Sequence, residues 1–305
     1  MPMPENSLTM GNLPSKSDDI TVKEKKKSWL ILVMKRLMKN RMATAGMIVL
    51  IIVVMLAILA PVIAPYGYAE QDLFNRFALP SWKHLCGTDD FGRDIFSRLL
   101  LGARYSLGLG IVAQVFQLTL GVFLGSIAGF YGGKVEQLIM RCCDIFEAIP
   151  NLLLAIIVST ALGNGFINTV IALGVGHIAS SCRIIRAQFL PLREQEFVEA
   201  ERSINCKDPR MILMHLLPNA ISPLIVQTTM GVGGVITTAA GLSYIGLGVQ
   251  PPTPEWGAML SAARGYILNH PYMILFPGLC IAIVVLALNM FGDGLRDALD
   301  PKLKQ

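Results

Sequence analysis

Residues 43–65, 107–130, 220–249 and 273–292 carry no charged side chain, and nothing else in this chain limits its fold so strongly. A hydrocarbon core of ~30 Å is crossed by ~20 apolar residues in a helix, the conformation that satisfies its backbone polar groups within one segment. All four runs are long enough. Two further runs are interrupted: residues 138–162 hold Arg141, Asp144 and Glu147, and residues 167–185 hold His177 and meet Arg183. The sequence therefore predicts an all-α, polytopic membrane protein with six transmembrane helices. Its 53% hydrophobic and 15% charged residues compare with about 45–50% and about 25% in soluble proteins. The first run exceeds a signal-peptide core and lacks a small-residue cleavage site, so it reads as an uncleaved span.

Six spans place both termini on one side, and the Lys and Arg distribution identifies that side. Twenty of these residues fall with the termini and six on the opposite face, which predicts cytoplasmic termini in a cytoplasmic (inner) membrane. The net charge of +5 is then a topology signal and calls for no nucleic-acid partner. Residues 1–42 form a basic cytoplasmic segment, residues 43–295 the membrane domain, and residues 296–305 a cytoplasmic tail. Within residues 28–40, Trp29, Leu30 and Leu37 alternate with Lys35, Arg36 and Lys39, consistent with a helix at the inner membrane surface or a longer first span with a snorkelling base.

The outer loop, residues 67–104, contains Phe91, Ile95, Phe96, Leu99 and Leu100 at helical spacing after Thr88 and Asp89. Thr88 or Asp89 is expected to cap that helix, with its apolar face on the bilayer surface. A second polar segment, residues 186–219, interrupts the apolar runs. In it Phe197, Ala200, Glu201 and Ile204 share one helical face, and Glu196, Glu199 and Arg202 line another. Asp208-Pro209 then reads as an N-cap followed by a proline at the first helical position. A charged helix, a break and a second helix leading into a span would make a lever for a soluble partner. A solvated Glu199–Arg202 pair worth ~0.3–0.5 kcal/mol is the simpler reading.

This segment resembles the cytoplasmic EAA loop of ABC importer permeases, in which Glu-Ala-Ala is followed three residues later by Gly and then by a helix ending in Leu-Pro. Glu199, Ala200, Leu217 and Pro218 match; Glu201 and Asn205 replace the second Ala and the Gly. Asn tolerates a left-handed turn, so the break is expected to survive. The run Gly87-Thr88-Asp89-Asp90-Phe91-Gly92-Arg93-Asp94, the run from Gly246 to Gly257 and the run from Gly292 to Pro301 resemble the dipeptide/oligopeptide/nickel permease family, C-type subunit. The resemblance implies an ABC type I importer fold, a second homologous permease, two cytoplasmic ATPases and an external substrate-binding protein. It implies a coupling loop carried by Glu199, Ala200, Arg202, Asn205, Asp208 and Pro218. The outer-loop signature is Gly87, Thr88, Asp89, Gly92, Arg93 and Asp94. Short peptides are the implied cargo, with nickel, glutathione or another small solute as alternatives.

The chemistry of the chain points the same way. The one candidate phosphate loop, Gly132-Gly133-Lys134, has Ala128 where the first Gly is needed and Val135 where Ser or Thr would hold magnesium. ATP and magnesium are therefore expected on partner ATPases, with no cofactor on this chain and no enzymatic activity. His84, His177, His215 and His270 are dispersed, and the six cysteines show no CxxC spacing, so no metal site is read. Polar side chains inside spans are costly. Gln114, Gln117, Asp144, His177 and Gln227 are the pathway or gate candidates, each with an interhelical hydrogen bond as its simpler role. An ion-coupled secondary transporter is the rival class, and the uncharged spans weigh against it.

Overall fold

The computed structural model describes residues 29–299. The expected basic segment up to residue 28, and the tail beyond residue 299, lie outside the described residues. The remainder is helical, and an isolated Thr88–Asp94 bridge is the only extended pairing among the described residues.

Helix α1 (Trp29–Leu37) is separate from α2 (Arg41–Ile63), because Asn40 takes an extended conformation and its side chain accepts from the Met42 and Ala43 amides. The longer continuous first span is thus excluded. Helix α1 rests on the end of the last helix, where Leu37, Ala43 and Ala298 form a small core. Helix α3 (Ile95–Tyr131) is one 37-residue helix. Here the sequence reading is corrected: the expected surface helix is the first turns of the second span itself. Its cap is Asp94, whose side chain accepts from Ser97 N; Thr88 and Asp89 are committed to the loop before it.

The third and fourth runs do not form straight spans. Helices α4 (Gly133–Glu147) and α5 (Asn151–Leu162) meet at 90°, and α6 (Phe166–Val175) and α7 (Ile178–Leu192) at 47°. Pro150 ends α4 by disfavouring helical backbone before it. Four helices are individually long and apolar enough to cross a membrane, and each bent pair can supply one more crossing. The short α8 (Glu196–Ser203) and α9 (Asp208–Arg210) lead through a π-helical turn, Met211–Leu216, into α10 (Leu217–Ala220). Helix α11 (Ser222–Tyr244), the short α12 (Trp256–Ala263) and α13 (Tyr272–Leu299) complete the fold.

The long helices pack side by side in the order α2, α13, α11, α3, α7. Lipid tails are as apolar as Leu, so helices in a bilayer gain most from close approach of small residues. Helix α2 accordingly buries only Ala43, Gly46, Ala57 and Ala60 and leaves Ile51, Ile58 and Val62 exposed. Gly121, Gly125 and Gly129 let α3 lie directly on α7, where an added Cβ would fall 2.4–2.5 Å from Ser181, Cys182 and Phe189.

Candidate functional site

The loop before α3 is a buried ionic knot. Asp89 Oδ1 accepts from the Phe91 and Arg93 amides at 2.9 Å, and Arg93 Nε donates to Asp89 Oδ2 at 2.6 Å. Arg93, Asp94 and Arg98 are only 3–4% exposed. Arg98 donates to the carbonyls of Tyr68 and Pro252, and the Tyr272 hydroxyl donates to the Thr88 carbonyl at 3.2 Å. His84 contacts Asp94 at 3.0 Å and stacks on Tyr66. Gly87 and Gly92 have positive φ, and a Cβ on Gly92 would strike the Asp72 carbonyl oxygen at 1.8 Å. Burial, then the charge of Asp89, raises the Asp90 carboxyl above its ordinary value. The far loop is tied to the knot by the Arg98–Pro252 bond and to α3 and α11 by Glu255, 1% exposed, which caps α12 and accepts from Ser106 and Ser243.

The mid-chain segment is built the other way. Val198 is fully buried and joins Phe130, Ile185, Phe189, Met211, Leu216 and Leu224 in one cluster, which anchors α8 to α3, α7 and α11. Glu199, Ala200 and Arg202 are exposed. The expected apolar face is therefore corrected: Ala200 is exposed and Ile204 is 75% exposed. Of the expected face, Phe197 is partly buried against the cluster, and the cleft beside Phe189 takes Val198. Asn205 has φ +59, its amide donates to Arg202 O, and Cys206 N donates to Glu201 O, which is a Schellman stop. Asp208 is not the N-cap as expected. Lys207 occupies that position without a capping side chain, and Asp208 lies in the first turn, where its charge complements the free amides. Pro218 has no amide to donate, and the Leu217 amide reaches back to Ile212 O, forming the π turn. An apolar groove lined by Val122, Phe123, Tyr131, Pro209, Ile212 and Leu213 separates this segment from the end of α3.

The interior candidates divide into two groups. Gln114 and Gln117 on α3 are 1% and 2% exposed. Neither polar atom of the Gln114 amide, nor Gln117 Oε1 or Gln227 Oε1, has a hydrogen-bond partner among the described residues. Gln227 Nε2 donates to Ser180 at 3.0 Å. Gly231 makes room for Gln114, since a Cβ there would lie 2.6 Å from its Nε2. Asp144 and His177 belong to the bent pairs. His177 stands at the α6–α7 bend, 3.3 Å from Asn151. Asp144 and Glu147 are both held by Arg183 at 2.7 Å, while Arg141, three residues before Asp144, reaches only that carboxylate, at 3.6 Å.

Sequence reasoning missed Val198, Arg183 and Glu255. Glu255 before Trp256-Gly257 had the pattern of a helix cap, whereas the roles of Val198 and Arg183 depend on contacts between helices. The fold also gathers Glu201, Cys206 and His215, with Glu201 and His215 at 3.5 Å. Linear spacing had shown no metal group.

Comparison with known proteins fits this architecture. A family model described as binding-protein-dependent transport system inner membrane component matches residues 121–305, and one described as the N-terminal TM domain of oligopeptide transport permease C matches residues 28–80. The chain is 46% identical over 270 residues to the dipeptide transport system permease protein DppC of Alkalihalophilus pseudofirmus, covering 88% of this chain and 89% of the relative. It is 45% identical over 273 residues to the glutathione transport system permease protein GsiD of Escherichia coli O157:H7, with 88% and 89% covered. The di/tripeptide permease DppC of Pseudomonas aeruginosa is also 45% identical over 273 residues, with 87% and 89% covered. The inward-facing MetNI methionine ABC transporter shares the fold at a TM-score of 0.52 and 19% identity, covering 67% of this chain and 96% of that one. With most of its length matched by these models and relatives, the chain belongs to the binding-protein-dependent inner membrane transport components, as a polytopic permease of the ABC peptide-importer type.

Proposed function

We propose that this chain is the permease subunit of an ATP-driven importer that carries short peptides across the bacterial cytoplasmic membrane. The observation that carries the reading is the exposed Glu199, Ala200 and Arg202 face of a helix that is itself anchored by fully buried Val198. A second homologous permease would enclose the pathway, two cytoplasmic ATPases would bind ATP and magnesium, and an external binding protein would deliver cargo. In this reading residues 1–42 and the tail are cytoplasmic, and residues 186–219 meet the ATPases. When ATP closes the ATPases, α8 moves with them, and the cluster around Phe189 and Met211 passes that movement to α7 and α11.

The similarity to peptide permeases supports short peptides as cargo, and the 45% identity to a glutathione permease favours glutathione as the second choice. Gln114, Gln117 and Gln227 would meet the cargo through their unpartnered amide oxygens, with His177 and Asp144 beside the bends as gate groups. Gln114→Leu should then slow uptake without lowering the melting temperature, and unchanged uptake would remove Gln114 from the pathway. The main test is Glu199→Lys in the purified complex. It should leave assembly intact while abolishing uptake and cargo-stimulated ATP hydrolysis, whereas normal coupling would refute the reading.

A further inference from the structure

Among the described residues, Glu201, Cys206 and His215 form the one group of three metal-capable side chains whose ligand atoms lie within 4.8 Å of one another. Local backbone geometry brings them together. The Schellman stop at Asn205 folds Cys206 back over the last turn of α8, onto the side of Glu201. The π turn then presents His215, whose Nε2 lies 3.5 Å from Glu201 Oε1. Glu201 is also one of the two positions where this loop departs from the pattern it resembles.

We propose that Glu201, Cys206 and His215 form a binding site for a thiophilic divalent transition metal, Zn2+ foremost. Thiolate, imidazole and carboxylate are the zinc donor set, and the sulfur and nitrogen donors disfavour magnesium and calcium. Zinc bonds of about 2.0–2.3 Å in a tetrahedron hold donor atoms about 3.3–3.6 Å apart. The Glu201–His215 pair already meets that spacing. All three residues are half-buried, so an ion can enter, and a fourth position is left for water. Binding replaces the thiol proton with the metal and releases it to solvent, so affinity rises with pH.

A bound ion would cross-link the end of α8 to the π turn and fix the hinge at Asn205. That consequence for transport rests on the coupling role proposed above; the binding itself does not. The test titrates the metal-stripped complex with Co2+. The expected signal is a set of tetrahedral ligand-field bands with a thiolate-to-cobalt charge-transfer band, bleached by Zn2+. Cys206→Ser and His215→Gln should each weaken binding by more than the roughly 10–100-fold that loss of an outer-shell partner costs, while Cys142→Ser should not. If either ligand variant misfolds, alkylation of Cys206 in the unaltered complex, followed by peptide mass spectrometry, serves instead, and Zn2+ should protect it. A spectrum without the thiolate band, binding that survives both substitutions, or alkylation indifferent to Zn2+ would overturn the site. Zinc should also lower cargo-stimulated ATP hydrolysis relative to each protein's own zinc-free, magnesium-supported rate, and Cys206→Ser should remove that sensitivity. Binding without inhibition would keep the site and overturn its effect on coupling.

Discussion

The knot before α3 and the mid-chain segment are both dense in charge, yet they use it in opposite ways. In the knot, Asp89, Arg93, Asp94 and Arg98 are buried, and their hydrogen bonds end on one another, on His84 and Ser97, on loop carbonyls or on amides. In the mid-chain segment Glu199 and Arg202 face outward, and the apolar pair Val198, buried, and Phe197, partly buried, holds the helix in place. Buried charge without a partner is so costly that the knot can keep only one arrangement. Exposed charge costs almost nothing and leaves a surface for another protein. Charge density alone therefore does not distinguish a structural element from a docking surface; burial and satisfaction do.

The largest expected effect is Asp89→Ala, which leaves Arg93 only its longer contact with Asp90, at 3.6 Å, and removes two loop hydrogen bonds; losing one partner of a buried pair costs about 3–5 kcal/mol. Thermal unfolding in detergent measures it, and a melting temperature close to that of the unaltered protein would break the contrast. Asn205→Ala should cost about 1–2 kcal/mol, because only the side chain of Asn eases the left-handed turn. Hydrogen exchange should show this loss confined to the amides of α8, and a global loss would show that the segment is part of the core. Asp90→Asn should have a smaller effect of opposite sign. Its raised carboxyl means the folded chain holds that proton more tightly than the unfolded chain. The group's contribution to stability therefore grows as pH falls through the folded value and is absent at neutrality. The variant should melt slightly higher at neutral pH, and the gain should shrink in mild acid. Smallest in stability is Glu199→Lys, expected within ~0.5 kcal/mol as an exposed substitution. A drop like that of Asp89→Ala would mean that the two regions do not differ.

The uncharged runs made α2, α3, α11 and α13 legible, because a bilayer admits few alternatives for twenty apolar residues. The bends were less visible, although Pro150 and the pair Gly174 and Gly176 mark them in the sequence. Hydropathy averages across such breaks. The left-handed turn at Asn205 followed from residue type, whereas the cap of α3 did not. Thr88, Asp89 and Asp94 can all cap a helix, and the choice among them depends on which carboxylate Arg93 takes. The first turns of α3 were misread as a surface helix because apolar spacing cannot report that Asp94 and Arg98 find their partners in the interior. Glu201, Cys206 and His215 were hidden by a different cause, since two backbone irregularities bring them together and neither has a periodicity.

Helix α3 starts in the knot and ends at Tyr131, beside the groove that holds Pro209 and Leu213. At 1.5 Å per residue its thirty-seven residues extend about 55 Å, well beyond a hydrocarbon layer of ~30 Å. Such a rod behaves as a pointer. A tilt of about one degree about the knot sweeps the distant tip through about 1 Å, so a disturbance too small to alter any hydrogen bond in the knot would arrive at the π turn as a full atomic step.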